Sequence, residues 1–101
     1  MSEIPGLKLL DAATEDGPGP WVKNERAVPR EFYHRTIVIE GELDGATVGL
    51  EGSLTGEGDG IPLRDGESAT NEIFNLSVRV PFLRAVLTGA GAGTEVTVWL
   101  R

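Results

Sequence analysis

The sequence predicts an all-β domain: an antiparallel β-sandwich that is jelly-roll-like and carries an extended N-terminal arm. From residue 36 onward, apolar residues alternate with polar ones at a period of two. Glycine-rich or Asp-Gly turns separate these runs, and no segment repeats at the 3.6 residues of a helix. Short strands at close spacing are typical of sandwiches. We therefore divide the chain into an arm over residues 1–34 and a sandwich over residues 35–101.

The first third of the chain is typical of an extended arm. Four of the six prolines lie in it, and the run Pro18-Gly19-Pro20 neither continues a helix nor donates to a full β-ladder. Leu7–Leu10 is the one short strand that we expect there. Trp21-Val22 and Phe32-Tyr33 are apolar anchors that need a surface to pack against.

The first two runs of the sandwich alternate cleanly. Thr36–Leu43 places Ile37, Ile39, Gly41 and Leu43 on one face. Asp44-Gly45 follows, which is a strong signal for a two-residue turn. Ala46–Leu54 then places every second residue inward, from Ala46 to Leu54. We expect these two runs to pair as a hairpin.

An acidic, glycine-rich loop follows at Thr55–Gly60. Its carboxylates, Glu57 and Asp59, are suited to calcium but do not match an EF-hand spacing, so a solvated loop is the simpler interpretation. We expect a short strand at Ile61–Leu63 and a turn at Arg64–Ser68.

The last third returns to strict alternation. Glu72–Val80 places Phe74, Leu76, Val78 and Val80 on one face, and Pro81 predicts a bend or an edge position. Phe82–Thr88 and Thr94–Arg101 are expected to form a second hairpin around Gly89–Gly93.

The composition limits the classes of function. A chain of 101 residues allows one core. The absence of cysteine excludes disulfide scaffolds, thiolate metal sites and catalytic thiols. Because no apolar run reaches membrane-spanning length and the N-terminus lacks a signal-peptide pattern, we expect no membrane partner and no Sec-type export. The net charge of −7 argues against a nucleic-acid partner.

The charge is unevenly distributed along the chain. Residues 37–72 carry nine acidic residues against Arg64 alone, whereas residues 21–36 carry four cationic residues against two acidic ones. This layout suits a protein that meets copies of itself, or another protein, in a fixed orientation. The alternative is a solvated acidic face that keeps the protein soluble.

No constellation of residues points to catalysis or to a cofactor. His34 is the single histidine, no serine lies in a G-x-S-x-G context, and a zinc site needs further ligands. Gly89–Gly93 is followed by a predicted strand rather than by a lysine and a helix, unlike a phosphate-binding loop. We therefore expect a protein that is not an enzyme and binds no cofactor or metal.

Three apolar side chains fall on the polar side of their strands: Val38, Ile73 and Trp99. One interpretation is that the N-terminal arm or another subunit covers them. The other is that a bulge shifts the phase of the last strand, so that Trp99 joins the core.

Several runs in the sandwich resemble small structural proteins of tailed bacteriophages. They are Thr36–Gly41, Ala46–Gly56, Phe82–Gly89 and Thr94–Leu100. The shared layout is a strand with V-x-L-E-G-S-L-D-G and a late (F/Y)-(L/I)-R-A-x-(V/L)-T-G run that leads into a C-terminal strand. The likeness spans about two-thirds of the chain, residues 36–101. It departs from the layout at Thr55, where Asp is usual, and at Gly60-Ile61, where an aromatic is usual.

The resemblance implies a capsid decoration or cement protein on the outer surface of the virion head, synthesised in the host cytoplasm. Such a protein is a homo-oligomer, here a dimer or trimer, that binds the major capsid protein. The interface residues expected on this basis are apolar anchors and a charged rim: Trp21, Arg26, Arg30, Phe32, Tyr33, Arg35 and Trp99. The alternative is a carbohydrate- or receptor-binding module of a phage tail or fibre, in which exposed aromatic rings stack on sugars.

Overall fold

The computed structural model describes residues 7–24, 34–63, 66–77 and 80–101. Within these ranges the chain forms nine strands and no helix, which confirms the all-β prediction. The strands are β1 (Leu7–Ala13), β2 (Gly17–Pro18), β3 (Val22–Lys23), β4 (His34–Glu42), β5 (Thr47–Ser53), β6 (Ile61–Pro62), β7 (Glu72–Ser77), β8 (Phe82–Thr88) and β9 (Glu95–Leu100).

The strands form two antiparallel sheets that enclose one core. The four-stranded sheet has the order β1-β9-β4-β7, and the five-stranded sheet has the order β2-β8-β5-β6 with β3 also paired to β8. The predicted antiparallel sandwich is thereby confirmed. The pairings are also nested, because β1 pairs with β9, β2 and β3 with β8, β4 with β7, and β5 with β6. This nesting favours the jelly-roll-like arrangement.

The core lies between the inner faces of the two sheets. Alternate residues of the four central strands are buried there: Ile37 and Ile39 of β4, Val48 and Leu50 of β5, Leu83, Ala85 and Leu87 of β8, and Val96, Val98 and Leu100 of β9. Burying one large aliphatic side chain contributes about 1.5–3 kcal/mol. The inward positions predicted for β4, β5 and β9 are confirmed at these residues, whereas Gly41, also expected inward, is exposed. The shared core holds the two sheets together.

The two predicted hairpins are wrong. β4 pairs with β7 and β9, whereas β5 pairs with β6 and β8, so the Asp44-Gly45 turn crosses from one sheet to the other. Residues 89–93 make the same crossing between β8 and β9. Period-two alternation specifies which face of a strand is buried but not which strand lies beside it. The period of two therefore does not predict that consecutive strands lie in different sheets.

Side-chain hydrogen bonds hold the two crossings next to each other. Asp44 and Gly45 have φ angles of 47° and 87°, as the Asp-Gly turn signal requires. The Asp44 carboxylate accepts the N–H of Gly93 at 2.8 Å. The Thr94 hydroxyl donates to the carbonyl of Leu43, also at 2.8 Å. The end of the sandwich is thus fixed by one turn and one loop that contact each other.

The predicted arm over residues 1–34 contributes strands to the sandwich. β1 confirms the strand expected at Leu7–Leu10 and pairs with β9, and Leu9 and Leu10 are buried in the core. β2 and β3 pair with β8 on the other sheet. The described part of the arm, residues 7–24, therefore belongs to the sandwich, because its backbone completes both sheets and its leucines fill the core.

Leu54 differs from its expected inward position and is exposed. β5 ends at Ser53, whose hydroxyl accepts the N–H groups of Thr55 and Gly56 at 3.1 and 2.9 Å. These hydrogen bonds turn the chain, so Leu54 leaves the alternation of the strand before it.

Candidate protein-binding face

The register of the four-stranded sheet aligns four side chains across its outer face. Lys8 of β1 lies opposite Trp99 of β9, Trp99 lies opposite Val38 of β4, and Val38 lies opposite Ile73 of β7. Directly opposite residues on one face of a sheet have Cβ atoms about 4.5–5.5 Å apart. We call these four residues the Trp99 row.

Trp99 faces outward, which decides between the two interpretations of the last strand. Its neighbours along β9, Val98 and Leu100, are fully buried, whereas Trp99 itself is half-buried. The pairing of β9 with β4 runs without a register shift from Leu100 to Glu95. The alternative in which a bulge moves Trp99 into the core is therefore wrong.

Polar neighbours fix the orientation of the Trp99 ring. Its indole N–H donates to the Glu40 carboxylate at 2.7 Å. Lys8 Nζ lies 4.9 Å and the Arg101 guanidinium carbon 5.6 Å from the ring centroid. Each such cation–π contact contributes about 0.5–1 kcal/mol at an exposed site. Lys8 also pairs with Asp11 at 3.1 Å.

The other half of the row is apolar and open. Val38 is half-buried and Ile73 is 72% exposed, although Ile73 lies beside Val38 in the ladder. Together with the Trp99 ring they line up across neighbouring strands as an apolar strip. Apolar surface removed from water is worth about 25 cal/mol per Å², and a strip of this kind with a polar surround is typical of a protein-binding surface.

Charged residues of opposite sign lie at the two ends of this face. On one side of the row the outward residues of β4 and β9 are acidic: Glu40, Glu42 and Glu95. On the other side Arg101 lies beside Thr36, and Thr36 bonds to Asn75 at 3.3 Å. The face is therefore an apolar strip between an acidic end and a basic end.

The outer face of the five-stranded sheet carries a different cluster, around Trp21. The Arg84 guanidinium carbon lies 4.3 Å from the Trp21 ring centroid, and Arg84 pairs with Glu51 at 2.8 Å. A Cβ at Gly60 would lie 2.8 Å from the Trp21 ring and 2.6 Å from a Glu51 carboxylate oxygen. The chain's own side chains and loop therefore cover this cluster, which we call the Trp21 cluster.

A shallow depression of about 350 Å³ lies beside the Trp21 cluster, lined by Gly49, Leu50, Glu51, Pro62, Gly66, Glu67 and Val86. Both of its carboxylates already have partners within the chain. Glu51 binds Arg84, and Glu67 accepts a hydrogen bond from the Thr47 hydroxyl at 2.8 Å.

The expected interface residues are distributed differently from the prediction. Trp99 and Trp21 lie on the outer faces of opposite sheets. Arg35 is buried rather than part of a charged rim, because it donates to the Asn24 side chain at 2.6 Å and to the Arg101 carbonyl at 3.2 Å. The remaining expected residues, Arg26, Arg30, Phe32 and Tyr33, lie outside the described residues.

Sequence reasoning missed the polar surround of the row. Lys8 and Glu40 contact Trp99 from neighbouring strands, which only the ladder register reveals, and Arg101 contacts it from just beyond β9. Arg101 alone had a local signal, since it lies two residues from Trp99 on the same face of a strand.

Among the described residues, including the acidic loop at 56–60, no three His, Asp or Glu side chains are placed so that they could hold one metal ion. In the same part of the chain no helix is long and apolar enough to cross a membrane. No protein-family model, curated protein or solved structure matches the chain. The fold and the site together define an antiparallel β-sandwich with a candidate protein-binding face.

Proposed function

We propose that this protein is a virion structural protein: a capsid decoration or cement protein that binds the major capsid protein on the outer head surface and stabilises the contacts between capsomers. The sequence resemblance over residues 36–101 supplies the phage context. The observation that carries a protein-binding role is the outward-facing Trp99 row. The role is structural rather than catalytic.

The chemistry of the row suits a protein partner. Trp and Arg are enriched where interfaces hold most of their binding energy, and a polar rim around an apolar centre excludes water from it. Trp99 provides the large ring, Val38 and Ile73 provide the aliphatic surface, and Glu40 and Arg101 lie at the rim.

The mechanism we propose is mechanical. A protein that binds only the assembled head stabilises it by mass action, since each bound copy must dissociate before the shell opens. Repeated copies turn modest contacts into a firm hold, because a second contact within the same assembly is effectively intramolecular. Self-association of copies on neighbouring capsomers provides that second contact.

Deleting the predicted arm does not test this function cleanly. Removal of residues 1–30 takes away β1, β2 and β3, and with them the buried Leu9 and Leu10. The truncated chain would lose part of its core, so a loss of head binding would report unfolding. Point substitutions on the outer faces are the better probes.

The direct test mixes the full chain with purified heads of the virus that encodes it, assembled without this protein, and measures co-sedimentation. We expect saturable binding and a higher temperature for release of the packaged genome. An unrelated acidic protein of similar mass provides the control for trapping in the pellet. No co-sedimentation above that control, at protein concentrations up to the millimolar range, contradicts the proposal.

A carbohydrate- or receptor-binding module of a phage tail or fibre is the second candidate, because two tryptophan rings lie near the surface. Arg84 already lies over Trp21, and Lys8 and Arg101 lie near the Trp99 ring, so a sugar must compete with these cations for the rings. Titration with host polysaccharide, followed by tryptophan fluorescence, separates the two candidates. Specific binding at millimolar or tighter affinity favours the module.

A further inference from the structure

We propose that a second copy of this chain covers the Trp99 row, packed face to face across a two-fold axis that runs along the row. The inference rests on the proposed function in one respect, since a protein that ties capsomers together needs linked copies. It adds the surface, the axis and the residues through which two copies meet.

The charges of the face select this axis. An axis along the row turns the second copy end for end, so that Arg101 of each copy faces Thr97 of the other, between Glu40 and Glu95. An axis along the strands instead places Glu42 and Glu95 over the same acids of the second copy. Opposite charges across an interface attract and like charges repel, so complementarity favours the axis along the row.

Two acids at the end of the face supply an independent reason for a partner cation. Glu42 and Glu95 lie directly opposite each other on β4 and β9, and both are exposed. Like charges at opposing ladder positions are destabilising. Within the described ranges neither has an ion-pair partner. A guanidinium from a second copy relieves this repulsion.

The row itself is compatible with meeting its own copy. With the axis along the row, each residue faces its counterpart, so Val38 and Ile73 bury aliphatic surface against aliphatic surface, and Trp99 meets Trp99 with Lys8 and Arg101 beside each ring. Lys8 also faces Lys8 of the second copy. Asp11 lies 3.1 Å from each Lys8 ammonium and offsets that repulsion.

The size of the face sets the strength of the dimer. The sheet has four strands; at about 4.8 Å between strands and about 3.3 Å per residue, its outer face measures roughly 19 Å by roughly 20 Å. Stable complexes bury about 800 Å² per partner, and this face provides less flat area than that. We therefore expect a reversible dimer whose population depends on concentration.

The other outer face is a poorer docking surface for a second copy. Its large aromatic residue, Trp21, is already covered by Arg84 and the loop at Gly60. Its carboxylates Glu51 and Glu67 have partners within the chain.

The first experiment measures the mass of the full chain by sedimentation equilibrium from low micromolar to near-millimolar concentration. It compares Ile73→Asp with Ile61→Asp. The two isoleucines are 72% and 71% exposed but belong to different sheets, so both variants should fold while only one places a charge in the row. We expect the wild type and Ile61→Asp to share one monomer–dimer equilibrium and Ile73→Asp to weaken it by about tenfold or more. A wild type that stays monomeric throughout, or equal effects of the two substitutions, overturns the proposal.

The second experiment determines the axis. The chain has no cysteine, so Ile73→Cys introduces a single thiol. A bis-maleimide with a spacer of about 10 Å, the usual separation of packed sheets, should link Ile73→Cys chains into covalent dimers far more efficiently than Ile61→Cys chains. Equal yields contradict the axis along the row, since that axis places Ile73 opposite its own copy.

Measuring head binding alongside self-association distinguishes a failure of the dimer from a failure of the proposed function. A chain that is monomeric at every concentration but co-sediments with heads contradicts the dimer and supports the function. A chain that dimerises as described but ignores heads supports the dimer and contradicts the function.

Discussion

The outer faces of the two sheets differ in how much of the surface around their tryptophan residues is covered by other parts of the chain. On the five-stranded sheet, Trp21 lies against Arg84 and the loop at Gly60. On the four-stranded sheet, Trp99 has polar neighbours, but Val38 and Ile73 beside it have no segment over them within the described residues. The chain thus covers the Trp21 ring with its own residues and leaves an apolar strip beside Trp99, although Ile61 of the five-stranded sheet is also exposed.

The difference follows from the path of the chain after β1. Residues 17–23 run along β8 as β2 and β3, which places Trp21 against the outer face of the five-stranded sheet. β1 itself pairs at the edge of the four-stranded sheet and directs Leu9 into the core. The described N-terminal residues therefore complete both sheets but cover only one outer face.

The largest loss of stability should come from a substitution in the core-facing part of β1, which tests whether β1 belongs to the sandwich. Leu9 is fully buried and Leu7, on the same strand, is 45% exposed. We expect Leu9→Ala to lower the free energy of unfolding by about 2–5 kcal/mol, since it leaves a cavity in the core. Leu7→Ala, the matched control, should cost less than about 1 kcal/mol. Urea denaturation measures both, and equal small losses would mean that residues 7–13 behave as a detachable arm.

The next largest effect should come from replacing one cation over each tryptophan ring, Arg84 over Trp21 and Lys8 over Trp99. The Arg84 side chain is 15% exposed and hydrogen-bonded to Glu51, whereas the Lys8 side chain is 40% exposed. Arg84→Met should therefore cost about 1–2 kcal/mol, because it removes a charge-assisted bond and leaves the Glu51 carboxylate without its cation. Lys8→Met should change stability by less than about 1 kcal/mol, because the Lys8 side chain is more exposed. Thermal unfolding of both variants checks the order, and a larger loss for Lys8→Met would reverse our comparison of the two faces.

The smallest effect should be the change in monomer stability when Ile73, in the exposed apolar part of the Trp99 row, is replaced. Ile73→Thr keeps a β-branched side chain on an exposed position, so we expect a change within about 0.5 kcal/mol at concentrations where the protein is monomeric. Ile39→Thr, on the inner face of the neighbouring strand, buries a hydroxyl in the core and should cost about 2 kcal/mol or more. If both substitutions destabilise the monomer equally, Ile73 contributes to folding rather than to an interface.

Much of the fold follows from alternation alone. The positions of Ile37, Val48 and Val98 on inner faces follow from the period of two, and so does the outward position of Trp99. What alternation cannot supply is the neighbour of each strand. The turn at Asp44-Gly45 has the same local geometry whether it joins strands of one sheet or crosses between two, so the pairing depends on long-range packing.

The candidate site shows the same limit. Val38, Ile73 and Trp99 are recognisable one by one as apolar residues on polar faces, but only the ladder shows that they lie opposite one another in one row. The prediction for Arg35 is wrong for a related reason. Its charge predicted a surface position, yet Arg35 is buried and donates hydrogen bonds to the Asn24 side chain and the Arg101 carbonyl. Such partners are distant in sequence and carry no local signal.

The central claim is that the Trp99 row is buried against a second copy, and fluorescence of the row itself tests it most directly. The chain has two tryptophans, so Trp21→Phe leaves Trp99 as the single indole. If two copies cover the row, dilution from near-millimolar to low micromolar concentration should shift the Trp99 emission to longer wavelength as the ring meets water. The same dilution of Trp21→Phe/Ile73→Asp should show the long-wavelength emission from the outset. An emission maximum that is identical at every concentration in both proteins contradicts the claim.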